Sequence, residues 1–239
     1  MIIDFHTHTY NSYDSMMKPE KIIAIARARG LTGIVINDHG TIKGGLECES
    51  ANKDKNFKII VGAEIATDVG DITGIFLKEE IRSRKFSEVI EEIKRQGGYT
   101  IINHPYVKHK LDEINFDGID MVEGFNSRVD WEKNILAIEL AIKYNKPVIA
   151  GSDAHLYSEI ANCKTLYDQD SDILNPSGLE YTRNNFTANI FSQFIKSYKR
   201  KDLDLGFRTA LGTPRKIIRR MNEDKKKFIG KVDDLKNKH

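Results

Sequence analysis

The chain has 239 residues, 40% of them hydrophobic and 30% charged, with a formal net charge of +2. This length and apolar content suffice for one full-sized core, and regularly spaced apolar runs exclude a mostly disordered chain. No run reaches the roughly 18 apolar residues of a membrane helix, so we expect no membrane partner.

Short apolar runs alternate with amphipathic stretches through the first two thirds of the chain. We predict strands at residues 2–5, 33–37, 58–65, 100–103, 119–122 and 147–150, with residues 71–77 as a candidate partner of the third strand. Helices are predicted at residues 19–29, around Leu46, at 86–95 and at 131–144. Such repeated units favour a parallel sheet covered by helices, either closed into a barrel or open, and periodicity alone does not choose between the two.

The pattern changes after about residue 168. Residues 175–178 predict a loop, residues 191–198 a helix, and Thr213-Pro214 the start of a helix through residue 221. From residue 196 onward there are 15 Lys and Arg against 6 Asp and Glu, whereas the preceding part has 22 against 29. An acidic body suits a cation site. The basic end suits an anionic partner such as nucleic acid, although a solvated helix face is the more frequent meaning of such a run.

The cysteines and the first residues bear on the cellular setting. Cys48 and Cys163 are far apart and form no CxxC pair, so we predict no disulfide framework. The N-terminus has no basic segment ahead of an apolar run, and no signal peptide is predicted. We therefore expect a reduced, cytoplasmic setting.

Residues that can bind metal follow almost every predicted strand. They are His6, His8, Asp38, His39, Glu64, Asn103, His104, Glu123, Asp153 and His155. The carboxyl ends of parallel strands meet at one rim of an α/β fold, so we expect these side chains to converge. His6 and His8 lie two residues apart on a strand and face the same way. Imidazole and carboxylate without cysteine are typical of catalytic Zn, Mn or Fe sites.

The same motifs carry a family resemblance. His6-Thr7-His8-Thr9, Asp14-Ser15, Asp38-His39-Gly40, Gly62-Ala63-Glu64, Asn103-His104-Pro105 and Gly151-Ser152-Asp153-Ala154-His155 resemble the PHP (polymerase and histidinol phosphatase) family. The resemblance implies an α/β fold, a distorted (β/α)7 barrel, at residues 1–168. A helical C-terminal extension, completing or flanking the barrel, would then occupy residues 169–239. It also implies two or three divalent metal ions (Mn, Zn or Fe) that hydrolyse phosphomonoesters or phosphodiesters.

The resemblance also implies three ligand sets. Those of the first metal are His6, His8, Glu64 and Asp153; Glu64 bridges to a second metal that also takes His104; those of the third are Asp14, His39 and His155. Many family members place a further histidine in a segment resembling residues 69–76, where this chain has Asp71. Asp71 is therefore either a carboxylate ligand or a hairpin-turn residue beside Gly70.

Two further residues resemble family positions at the site. Asn126 and Arg128 follow a predicted strand, and an arginine at the rim can hold a phosphate through two hydrogen bonds. We expect both to contact the substrate phosphate. The other interpretation of Arg128 is a surface residue in the loop before Trp131.

The expected reaction is attack on a phosphate ester by a hydroxide that the metals activate. His155 or His39 would protonate the leaving group, and Arg128 would neutralise developing charge. The expected substrate is a nucleotide, an oligonucleotide or a phosphorylated small molecule. Two alternatives stay open: a metal-dependent amidohydrolase, disfavoured because no predicted strand ends in a lysine, and a non-catalytic metal-bearing binding module.

Overall fold

The computed structural model describes residues 1–184 and 186–211. Its strands are β1 (Ile2–Asp4), β2 (Gly33–His39), β3 (Lys58–Ala66), β4 (Asp71–Ile75), β5 (Tyr99–Ile102), β6 (Met121–Asn126), β7 (Val148–Gly151), β8 (Cys163–Leu166) and β9 (Gly178–Tyr181). Its helices are α1 (Pro19–Ala28), α2 (Lys43–Ala51), α3 (Phe86–Arg95), α4 (Trp131–Lys143) and α5 (Phe186–Arg200), and residues 203–211 are also helical. The helix predicted to begin at Thr213 lies outside the described residues.

The strands form one sheet in the order β7-β6-β5-β4-β3-β2-β1-β8-β9. Strands β1, β2 and β3 pair in parallel, as do β5, β6 and β7. Strand β4 runs antiparallel to both of its neighbours, which confirms the pairing predicted for residues 71–77. The sheet therefore keeps the first seven strands in chain order and departs from a regular parallel barrel at one strand.

The two ends of this seven-stranded arc meet. The amide of Phe5 donates to the carbonyl of Ala150 at 3.4 Å, and Thr7 bridges Ala154 in parallel. Strand β8 then pairs antiparallel with the free side of β1, and β9 with β8. The fold is thus α/β with a nearly closed barrel followed by helix, which confirms the distorted barrel and excludes the open sheet.

One apolar side chain from each of the first seven strands fills the barrel. These residues are Ile3, Val35, Ile60, Ile75, Ile101, Met121 and Ile149, all buried. The opposite faces of the strands pack against helices; Ile22 and Ala26 of α1, for example, contact the layer of Ile34. Burying an aliphatic side chain of this size contributes about 1.5–3 kcal/mol, so both faces of the sheet stabilise the closed form.

Two short strands were not predicted. Strands β8 and β9 have four residues each and mix polar with apolar residues, so neither contains the apolar run that marks the equally short β5 and β7. Conversely β2 continues past residue 37 to His39, because the buried Asp38 side chain and the half-buried His39 side chain both have polar partners. Among the described helices none has the length and apolar character needed to cross a bilayer.

Candidate metal centre

The predicted ligands meet at the carboxyl-end rim of the barrel. His6 and His8 follow β1, His39 ends β2, Glu64 lies on β3, His104 follows β5, and Asp153 and His155 follow β7. Asp71 is the first residue of β4, and since β4 is antiparallel it pairs with Ala66 near the end of β3. The potential ligand atoms fall into three groups, and the atoms of each group lie within 4.8 Å of one another. The groups are His8 with His39 and His155, His6 with His8 and Glu64, and Glu64 with Asp71 and His104.

The His6 and His8 rings point their Nε2 atoms at each other across 3.1 Å. The Nδ1 atom of His6 lies 2.8 Å from Glu123 Oε1, so this nitrogen carries the proton that the carboxylate accepts. The Nδ1 atom of His8 donates to Ser12 Oγ at 3.1 Å, and that hydroxyl donates in turn to Asp38. In the neutral rings both Nε2 lone pairs therefore face the same small space, which is the arrangement that a metal ion requires.

Glu64 lies at the centre of the cluster. Its Oε1 is 3.2 Å from Nε2 of His104, and its Oε2 is 2.9 Å from Nδ1 of His39. Although burial opposes its ionisation, the positive charge on His39 and His6 holds the pKa of Glu64 well below its usual value. One carboxylate is thus shared between neighbouring groups of ligands, as expected of a residue that bridges two cations.

Asp14 joins His39 and His155. Nε2 of His39 lies 3.2 Å from Asp14 Oδ2, and Nε2 of His155 lies 3.2 Å from Asp14 Oδ1. Burial opposes protonation of His39, but the Glu64 and Asp14 carboxylates raise its pKa to about 10. The Tyr13 ring stacks on His39, with centroids 4.3 Å apart and planes 5° apart. The third predicted ligand set is therefore brought together, with an aromatic cover.

Asp153 completes the first predicted set. Its Oδ1 lies 3.5 Å from His8 Nε2 and 3.7 Å from His6 Nε2. Its φ of +51° is a left-handed conformation, which non-glycine residues adopt at a cost. Asn126 donates to Asp153 Oδ2 at 3.3 Å and to Glu123 at 3.0 Å. The structure therefore assigns the Asn126 amide to two site carboxylates, and its contact with substrate stays a prediction.

The Arg128 side chain forms an ion pair with Glu159. Its Nη2 lies 3.0 Å from both carboxylate oxygens of Glu159, and its Nη1 donates to Ser192 Oγ of α5 at 2.9 Å. The Arg128 side chain is 11% exposed and that of Glu159 2%. It is thus not a loose surface residue of the loop, and the substrate contact predicted for it is untested.

Sequence reasoning did not assign the residues that orient the ligands. Glu123 binds His6, and its second oxygen accepts from the backbone amide of His104 at 2.8 Å. Asn103 donates to Glu64 Oε1 at 3.1 Å. Both residues were named among the polar residues at strand ends, so their position was visible in the sequence, but their partners lie on other strands.

The donor set fits divalent metal ions. Its ligands are imidazoles and carboxylates, which suit Mn, Zn and Fe. The buried Nδ1 of His104 has no hydrogen-bond partner within residues 1–184 and 186–211, although the ring lies among other ligands. Buried polar atoms without partners are costly unless an ion or water completes them.

Residues 4–199 match the model of the PHP domain. The chain belongs to the PHP family. An uncharacterised protein of Methanocaldococcus jannaschii is 32% identical to this PHP domain over 160 residues, which cover 60% of the chain and 92% of that relative.

Solved structures share the fold of this PHP domain. A two-domain protein from Bacteroides vulgatus, described as containing a PHP-like metal-dependent phosphoesterase, superposes with a TM-score of 0.57 at 20% identity, and the match covers 69% of this chain and 58% of that one. An amidohydrolase from Chromobacterium violaceum with bound sulfate and no metal gives 0.54 at 14% identity, covering 64% and 87%. Family, fold and donor cluster together support a metal-dependent hydrolase.

Proposed function

We propose that this PHP domain is a metal-dependent phosphoesterase acting on a phosphomonoester or phosphodiester, carried by a nucleotide, an oligonucleotide or a small molecule. The observation that carries the proposal is the His6–His8 pair, whose Nε2 atoms converge while Glu123 and Ser12 engage the Nδ1 atoms. A buried pair of imidazoles held in this way contributes little to the packing of the apolar core. It is the form in which proteins present histidines to catalytic metals.

The metals would be held as the three ligand sets suggest. His6, His8, Glu64 and Asp153 would hold the first, Glu64, His104 and Asp71 the second, and Asp14, His39 and His155 the third. Two or three divalent ions, Mn, Zn or Fe, are proposed. The third group in particular supports a three-metal site, since two imidazoles share the two oxygens of one carboxylate.

Divalent metals in such a site supply a water of lowered pKa and positive charge for the phosphoryl oxygens. The chain itself fixes the ring orientations through Glu123 and Ser12, so that both lone pairs stay directed inward. His155 or His39 would give a proton from Nε2 to the leaving oxygen if that nitrogen is not held as a ligand.

Direct attack by water is proposed in place of a covalent intermediate. Ser152, which directly precedes the proposed ligand Asp153, donates its hydroxyl to Asp4 Oδ2 at 2.5 Å and is buried. That hydroxyl accepts from the amide of Cys163 at 3.0 Å. These two hydrogen bonds hold the Ser152 hydroxyl in place at the end of β7, so it is unsuited to act as a nucleophile.

An amidohydrolase is the second candidate, and the likeness to the Chromobacterium structure favours keeping it in the test. None of the nine described strands ends in a lysine that could carry a bridging carbamate, and the proposed bridging residue is the carboxylate Glu64. This favours the phosphoesterase over the amidohydrolase.

Phosphate release tests the proposal. Purified protein with added Mn²⁺ would be screened against nucleotides, short oligonucleotides, sugar phosphates and a matched panel of amides. We expect phosphate release that a chelator abolishes and that the double variant His8→Ala/Glu64→Ala lacks. Activity that survives both treatments, or hydrolysis confined to the amides, would overturn the proposal.

A further inference from the structure

Three cations stand beside the metal centre outside every predicted ligand set. Arg200 lies over the Tyr13 ring with its guanidinium carbon 3.8 Å from the centroid, and the Lys196 ammonium lies 4.6 Å from the same centroid. Because His39 covers one face of that ring, Arg200 covers the other. Lys108, in the segment after His104, is near enough to act on the charge of Lys196.

The position of the cation pair is fixed by the fold. Lys196 and Arg200 are four residues apart on α5 and so share a face of the helix. Between them Lys199 donates to the carbonyls of Tyr10, Ser12 and Ser15 at 2.6–2.8 Å, the segment that carries Tyr13 and Asp14. Two turns earlier Ser192 accepts from Arg128. Helix α5 is thus held to the loop of Tyr13 and Asp14 by Lys199, between the two cations, and to Arg128 by Ser192, one turn before Lys196.

Neither cation of this pair forms an ion pair with another described residue. No carboxylate lies within 4.0 Å of Lys196, Arg200 or Lys108 in the part of the chain that the structure describes. The acidic groups whose charge favours the protonated form of Lys196 are Asp14 and Asp71, which belong to the proposed ligand sets. Half-buried Lys196 loses hydration at this place, a cost that an anionic ligand would offset.

We propose that Lys196 and Arg200, on the outer side of Tyr13, bind a second anionic group of the substrate, so that the preferred substrate carries a phosphate beyond the one hydrolysed. This inference rests on the proposed function for the placement of the first phosphate. Guanidinium and ammonium groups are the side chains that recognise phosphate, the first through paired donors and the second as a point charge. The two cations are specificity-determining residues and take no part in bond cleavage.

Binding, measured apart from turnover, tests this proposal. Isothermal titration calorimetry of the metal-loaded full chain would compare fructose 6-phosphate with fructose 1,6-bisphosphate, which differ by one phosphate. We expect the bisphosphate to bind about tenfold more tightly, since each charge-assisted contact contributes on the order of a few-fold or more. In Lys196→Met/Arg200→Met the preference should fall to near unity while the affinity for the monophosphate stays within about twofold.

Lys55→Met is the matched control, because Lys55 is exposed and precedes β3 at the opposite end of the barrel. It should keep the preference. Equal affinities for the two sugars in the unaltered protein would overturn the proposal, as would a preference that persists in the double variant. A double variant that weakens both sugars equally would also contradict it, because the pair would then act on the whole site. Failure of the proposed function shows separately, as binding without phosphate release.

Discussion

The carboxylate of Glu123 lies 2.8 Å from Nδ1 of His6, on the side of the ring away from the nitrogen that faces His8. The two residues come from β6 and from the end of β1 and are 117 positions apart. Their contact sets the tautomer and the orientation of His6, a proposed ligand of the first metal.

Replacing Glu123 should weaken the binding of the proposed first metal ion. We expect Glu123→Gln to lower metal affinity about tenfold or more, since an amide lacks the charge that strengthens the His6 ligand. Metal titration into stripped protein measures the change. Glu180→Gln, at the exposed position of β9, is the control and should leave affinity unaltered. Equal affinities of the Glu123 and Glu180 variants would show that Glu123 is only a buried polar residue.

Occupancy of the proposed second metal site should depend on Asp71. Burial and the nearby Glu64 carboxylate raise the pKa of Asp71, and a bound cation would reverse that penalty. We expect Asp71→Ala to bind one metal ion fewer per chain and Asp71→His to restore it, because either donor can complete the group with Glu64 and His104. Elemental analysis after gel filtration gives the count. An unchanged count in the alanine variant would assign Asp71 to the hairpin turn alone.

Arg128 is expected to matter for stability. Removing it leaves Glu159 buried without its cation, and breaking such a pair costs about 3–5 kcal/mol. We therefore expect Arg128→Ala to lower the free energy of unfolding in urea, and Arg128→Met/Glu159→Gln to recover most of it. A variant with normal stability and a raised KM would instead support the predicted phosphate contact.

Gly151 allows His6 and Glu123 to approach. A Cβ at this position would collide with Glu123 Oε1 and with Cβ of His6. We expect Gly151→Ala to destabilise the fold by about 1–3 kcal/mol and to weaken metal binding, because both side chains must shift. Gly178→Ala, whose new Cβ would meet Leu166 at an ordinary 3.5 Å, is the control. Thermal melts with and without metal distinguish the two variants.

The two thiols should be unreactive in the native protein. Burial raises the pKa of both Cys48 and Cys163, which lowers the thiolate fraction at neutral pH, and the thiolate is the reactive form. We expect no iodoacetamide adduct before unfolding and two adducts in urea, as measured by mass spectrometry. Rapid labelling of the folded chain would place at least one thiol at the surface.

Much of the metal centre could be predicted because strand ends in an α/β fold converge. His6, Glu64, His104 and Asp153 each follow or end an apolar run, and the rule that such ends share a rim needs no coordinates. The barrel itself required more. Closure depends on the contact of Phe5 with Ala150 and on β8, a strand of four residues that contains no apolar run.

The partners of the site residues could not be predicted. Local sequence shows that Glu123 and Arg128 follow a strand, but the direction of each side chain depends on packing across the barrel. Glu123 faces His6 on β1's end, whereas Arg128 faces Glu159 and α5. The placement of α5 over Tyr13 likewise follows from Lys199 reaching three backbone carbonyls, which no helical period reveals.

The pairing of β1 with β8 has a consequence for folding. Ile3 pairs with Thr165, and the terminal amine of Met1 donates to the carbonyl of Tyr167 across 166 positions. Contacts of such high sequence separation form slowly, because a long loop must close before they are gained. We expect His155, which follows β7, to join His8 and His39 only in that step. We therefore expect the full set of metal ions to bind only at the end of folding. During refolding, metal uptake should lag behind the recovery of secondary structure.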